Sequence, residues 1–188
     1  MGTGQMMLAV AAMFLIGIII FSASSTLLQN DDTIKDSEFG VAAISLATSL
    51  VEEVQGKTFD EAATDSGVVN IGQLTLPAYF GPDVNEFYRT TDPAKSDFDD
   101  IDDYNNFSIE FVSDTTRPKV ATYRGDAKGF RADYLVKAKV VYVVASGGVA
   151  NLDGFSAAPT WNKKLIVTVT SPTSRDTLVF PTVISYWN

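Results

Sequence analysis

The sequence predicts an α+β chain: a long N-terminal α-helix packed on an antiparallel β-sheet. Three observations predict it. Residues 1–30 carry no charge, and residues 6–21 are all apolar or glycine. Residues 31–57 then repeat apolar side chains at three- and four-residue steps. Beyond Gly56 the period falls to two, in runs rich in Val, Ile, Thr, Tyr and Phe.

The opening run favours helix, being built from Leu, Ile, Met and Ala with no proline. At a rise of ~1.5 Å per residue it is long enough to cross the hydrocarbon core of a bilayer. Gly17 and the serines Ser22, Ser24 and Ser25 are its weak points, where helical hydrogen bonds are most easily lost. No Lys or Arg precedes the run, unlike the basic start of a secretory signal peptide, although Ala23-Ser24-Ser25 could serve for cleavage. A single-span anchor is the other simple reading.

Across residues 31–57 the expected stripe is Phe39, Ala43, Leu46, Leu50 and Val54, with acidic residues and Lys35 on the remaining faces. Gly56 is the expected stop. The helix is therefore expected from about residue 5 to about residue 56, apolar all round in its first half and amphipathic in its second. Three regions follow: residues 1–30 as the apolar segment, 31–57 as the half packed on the sheet, and 58–188 as the globular antiparallel β domain.

Strand-like runs occupy residues 68–76, 106–113, 129–146, 163–172 and 176–187. Leu165, Val167 and Val169 alternate with Ile166, Thr168 and Thr170, and Val136, Ala138, Val140 and Tyr142 alternate with Leu135, Lys137, Lys139 and Val141. One face is buried and one wet, giving a meander of about four strands. Residues 171–176 read as a turn closing a final hairpin. Residues 77–105, 114–128 and 147–162 read as loops.

Composition narrows the function. The net charge of −9 argues against nucleic acid as a partner. The chain has neither Cys nor His, which removes disulfides, thiol nucleophiles, the usual general base and the commonest metal ligand. No glycine-rich phosphate loop is present. These absences argue against an enzyme.

The acidic run holding Asp97, Asp99, Asp100, Asp102 and Asp103 reads first as a solvated loop, and second as a calcium site built from carboxylate oxygens, although it lacks EF-hand spacing. Beyond calcium no cofactor is expected. Glu52 and Glu53 are expected on a solvated helix face. Tyr79, Phe80, Phe87 and Tyr88 are expected to cover the open side of the sheet. Asn106-Phe107-Ser108 is a glycosylation sequon abutting a strand.

The start GQMMLAVAAMFLIGIII, the continuation SEFGVAAISLATSLVEEVQGKTFDE and the terminal KKLIVTVTSP and DTLVFPTVISYW segments together resemble the type IV pilin and pseudopilin family. The acidic FDDIDDYNNF segment is similar to one that precedes the first sheet strand in several such proteins. The resemblance covers the whole chain as architecture, and implies a major pilin: a subunit of an extracellular filament of the kind used in adhesion and motility. It implies as partners further copies of the chain, a pilus assembly machinery, a prepilin peptidase, and the inner membrane before assembly.

The same resemblance makes Met1, Gln5, Met6, Leu8, Phe14, Leu15, Ile18 and Phe21 the assembly residues. It makes Gly17, Ser22, Ser24 and Ser25 the place where a filament helix would unwind. Ala9, Ala11, Ala12 and Gly17 add small side chains for close helix approach. Pilins carry a glutamate near the start of the mature helix. Gln5 stands there if Met1 is the mature start, and becomes the new terminus if cleavage follows Gly4. A minor pilin or secretion pseudopilin and a membrane-anchored extracytoplasmic binding domain are the alternatives.

Overall fold

The structure, a computed structural model, describes residues 2–65, 67–89, 92, 94–112, 114, 116, 118–126, 132–146, 149–172, 174 and 176–186. The chain divides into two units, Met1–Phe39 and Gly40–Asn188. Helix α1 spans Thr3–Gln55, so the expected helix is present in full. It is unbroken through Gly17 and through Ser22, Ser24 and Ser25. Its polar residues bond along their own helix: Thr26 Oγ1 donates to the Ser22 carbonyl at 3.0 Å, and Ser37 Oγ to the Thr33 carbonyl at 2.9 Å. Lys35 and Asp31, one turn apart, pair at 2.6 Å in full exposure, a contact worth little.

In the second half of α1, Ala43, Ala47, Leu50, Val51 and Val54 are buried. Leu46, expected at the centre of the stripe, is only half-buried, and Ala47 takes its place. The stripe thus centres on two alanines, whose methyl groups let a helix backbone come close to its neighbours. Short helix α2, Glu61–Asp65, follows.

The β domain holds strands β1 (Glu86–Phe87), β2 (Ser96–Asp97), β3 (Ser108–Val112), β4 (Tyr123–Asp126), β5 (Tyr134–Ser146), β6 (Val149–Ser156), β7 (Asn162–Thr170) and β8 (Thr177–Ser185). β1 and β2 pair by themselves. The main sheet runs β4-β3-β5-β7-β8, with β6 paired to β5. The β7–β8 hairpin forms as expected, from Asn162↔Ser185 to Thr170↔Thr177. Pro181 in β8 is tolerated because β8 is an edge strand. The inward face is also as expected: Val136, Ala138, Val140 and Tyr142 of β5 and Leu165, Val167 and Val169 of β7 are buried.

Four expectations are corrected. Residues 68–76 are not a strand but contain a 3-10 turn, Ile71–Gln73. Asn70 accepts from the Gly72 amide at 3.0 Å while Gln73 accepts from the Asn70 amide at 2.9 Å. This reciprocal capping satisfies the backbone locally and removes it from any ladder. Within the stretch expected as a loop at 147–162, Val149–Ser156 form β6, which folds back on β5. Nor is 114–128 only a loop: β4 pairs with β3, and in parallel. Glu110 and Arg124 are opposite one another in that register and bond at 2.7 Å, with Glu110 buried. Finally, the acidic run is solvated only in part: Asp97 is exposed and Asp99 half-buried, but Asp100, Asp102 and Asp103 are buried.

Candidate functional site

In the N-terminal unit the candidate feature is a surface. Met6, Leu8, Phe14, Leu15, Ile18 and Phe21 are all exposed, Phe21 to 78%. A soluble surface seldom carries so much contiguous apolar area without a partner for it. Gly17 has no side chain and nothing near the position a Cβ would take. The gap leaves a shallow hollow lined by Val10, Met13, Phe14, Ile18 and Phe21. Gln5 is exposed in the first turn, its backbone N–H donating to the Gly2 carbonyl at 2.9 Å. Met1 lies outside the described residues. An 18-residue window of α1 has a mean hydropathy of 2.6, so this helix is long and apolar enough to cross a membrane.

The β domain carries a second feature, centred on Lys163. The Lys163 side chain is 0% exposed. Its Nζ donates to the Phe59 carbonyl at 2.6 Å, to Asp60 Oδ2 at 2.9 Å and to Asp102 Oδ1. The rings of Phe59, Phe80 and Tyr142 stand 4.7, 5.1 and 5.4 Å from the same nitrogen. Local structure explains the convergence. Asp60 lies in the short connection between α1 and α2, and that stretch is tied to the acidic run by Thr58 N to the Asp99 carbonyl and Ile101 N to the Thr58 carbonyl, both at 3.0 Å. Tyr142 faces Lys163 in the β5–β7 register. The Tyr142 hydroxyl reaches Asp60 Oδ2 at 3.1 Å and the Thr75 carbonyl at 2.9 Å. Asp60 also accepts from Ala62 N, Thr75 N and Thr75 Oγ1.

Burial raises the protonation midpoints here. Asp100 is pushed up to about 9 by burial and by the neighbouring charges of Asp102 and Asp103. Asp103 is pushed up to about 8 by burial, with Glu86 adding to it. Asp102 is raised by burial against the opposing pull of Lys163. The Tyr142 hydroxyl is raised by burial and by Asp60. An acid whose folded midpoint lies above its unfolded one holds its proton more tightly when folded. The stability that Asp100 contributes is complete below its unfolded value of ~3.9 and is lost as pH rises toward about 9. Urea midpoints of the full chain in detergent, taken between those limits, test this. The advantage of Asp100→Asn over the wild type should grow steadily with pH, and parallel profiles would contradict the shift.

Glu53 anchors a third group. Adjacent Glu52 is exposed, as expected, but Glu53 is half-buried and accepts from Tyr104 Oη at 2.9 Å, Tyr88 Oη at 3.3 Å and Arg89 at 2.5 Å. Burial and the Glu53 charge push Tyr88 up to about 12 and raise Tyr104 as well. Tyr88 packs in an aromatic cluster with Phe98, Tyr104, Phe107 and Tyr123. Phe80 packs on Tyr142, with centroids 5.0 Å apart. Of the four aromatics expected to cover the sheet, these two are half-buried and pack on core rings. Tyr79 is exposed, and Phe87 lies at the surface under Lys95. Glu53→Ala strands the buried Tyr104 hydroxyl and should cost about 1–3 kcal/mol in urea unfolding; an unchanged midpoint would show that the hydroxyl has another partner.

The five aspartates read as a calcium site separate. Asp97 is exposed on β2, Asp102 turns to Lys163, and Asp100 and Asp103 bond to each other's backbone amides at 3.1 and 3.2 Å. Asp99 instead meets Glu61 and Glu86, with oxygens within 4.8 Å of one another, the one carboxylate trio among the described residues that could hold a metal ion. Asn106 of the sequon is exposed in a left-handed turn, φ 57°.

Against protein-family models, curated proteins and solved structures the chain gives no match. The Lys163 cluster was missed in the sequence because Lys163 and Asp60 lie in no motif. One signal did exist: Lys163 has the same parity in its strand as Leu165, Val167 and Val169.

Proposed function

We propose that the chain is a structural subunit of an extracellular filament of the type IV pilin kind. The observation that carries this reading is the uncharged apolar helix surface of residues 6–21, exposed on every side. In a bilayer lipid covers such a surface. Once the subunit leaves the membrane, only other apolar surfaces can cover it, and identical helices from further copies do so at ~25 cal/mol per Å² of apolar area. Small residues at Ala9, Ala11, Ala12 and Gly17 favour close helix contact, and the hollow over Gly17 suits a side chain from a neighbour. Repeated head-to-tail packing that does not close yields a helical polymer. Gln5 then sits where the helix register is set, offering an amide that is cheaper to bury than a carboxylate. A membrane peptidase and an assembly machinery are the partners this route requires.

The test is to shear cells that make the protein, pellet the supernatant and image it by electron microscopy, with mass spectrometry of the N-terminus. Thin fibres composed of this chain are expected, and the terminal residue identifies the cleavage point. Protein recovered only as detergent-soluble monomer would replace this reading with that of a membrane-anchored extracytoplasmic domain.

A further inference from the structure

We infer that Lys163 and Asp102 become joined by an intramolecular amide bond, with Asp60 and Asp100 moving the protons. The inference stands on the β domain alone and does not depend on filament assembly.

Three features of the cluster lead to it. Lys163 Nζ already contacts Asp102 Oδ1, so nucleophile and carboxyl are held together with no motion required. The surroundings are closed: Lys163 and Asp60 are 0% exposed, and three aromatic rings wall the nitrogen. In water a carboxylate and an ammonium do not condense, because both ions are well solvated. Inside a dry pocket the pair keeps its desolvation penalty, whereas a neutral amide has none, and the released water gains the solvent.

The remaining carboxyls divide the work. Asp60 is held in place by Ala62 N, Thr75 N, Thr75 Oγ1 and Tyr142 Oη, and its Oδ2 lies 2.9 Å from Lys163 Nζ, where it can take a proton from that nitrogen. Asp100 bonds to the side chain of Asp102 and, with its midpoint up at about 9, carries a proton at neutral pH. It is placed to polarise the Asp102 carboxyl and to protonate the departing oxygen.

The step balances. Asp60 takes a proton from Lys163 Nζ, and the freed lone pair attacks Asp102 Cγ, forming the C–N bond. Asp100 protonates one Asp102 oxygen, the C–O bond breaks, and that oxygen leaves as water. Asp60 passes the proton it took to the same oxygen, which completes the water; of the three Nζ protons one stays on the amide, one leaves in the water and one replaces the proton Asp100 gave, so that Asp60 ends as the carboxylate and Asp100 as the acid. No oxidant or cofactor is needed. The product ties the start of β7 to the segment entering β3, across a sequence separation of 61 residues. In a chain with no cysteine it supplies the constraint that a disulfide otherwise gives.

Intact mass of the full chain, purified folded in detergent and then denatured, is the test. The expected mass is lower than that of the sequence by one water. Tandem spectra of a digest should show a branched peptide joining Lys163 to Asp102. Lys163→Arg should restore the full mass, and Asp100→Asn, should the arginine variant fail to fold, should slow bond formation by about a hundredfold, the share of one positioned general acid. A wild-type chain of full mass that is folded by near-ultraviolet circular dichroism overturns the inference. So does a loss of water that maps elsewhere, such as a backbone succinimide.

Discussion

Ile18→Asp should abolish fibres in the sheared fraction while leaving the β domain folded. Ile18 is exposed on α1 and borders the hollow left by Gly17. A carboxylate at the centre of an apolar helix costs about 3 kcal/mol in membrane insertion, and a similar desolvation opposes its burial in a helix bundle. At ~1.4 kcal/mol per tenfold, each subunit contact would weaken by about a hundredfold, enough to stop growth of a polymer in which every subunit makes several. Electron microscopy with quantitative blotting of the sheared fraction reads the result. Ile18→Leu, which keeps the apolar volume, should retain fibres. Fibres at wild-type yield from the aspartate variant would show that residues 6–21 are not the assembly surface.

Lys163→Ala should give the largest loss of stability of any single substitution in the β domain, about 3–5 kcal/mol. Asp60 and Asp102 would both lose Lys163, as their ion partner before the amide forms and as the cross-link to Asp102 after it, and the Phe59 carbonyl would lose its donor. Removing one partner of a buried pair is far costlier than the pair is stabilising, because the remaining charge stays in an apolar place. Trp161 stacks on Tyr186 at 5.4 Å, and Tyr186 contacts the Phe59 ring at 5.5 Å, so tryptophan fluorescence should report urea unfolding of this region. Lys137→Ala on the exposed face of β5 is the control and should change stability by no more than about 0.5 kcal/mol. Equal midpoints for the two variants would mean that the cluster is not a stabilising element.

Much of the fold was legible because its signals are local and periodic. The apolar run and the stripe behind it repeat at helical spacing, and α1 spans both. The alternation through Leu165, Val167 and Val169 identified β7 and its buried face. What failed depended on context that periodicity does not carry. Residues 68–76 have strand composition, but the side chains of Asn70 and Gln73 bind the backbone first. Strands β4 and β6 lie in polar, glycine-containing stretches whose pairing is set by neighbours in the sheet. Acidic residues read as solvated because charge alone predicts exposure, and only a distant lysine reverses that.

The sequence by itself determined the long helix, the antiparallel sheet, the alternation of faces and the absence of histidine and cysteine chemistry, since each depends on residue type and near-neighbour spacing. Tertiary structure decided where the charges went. Asp60, Asp102 and Lys163 are separated by up to 103 residues along the chain, yet share one dry pocket. A buried charge survives only beside its opposite, and which opposite it meets is fixed by how helix end, turn and strand pack, a relation that no local window contains.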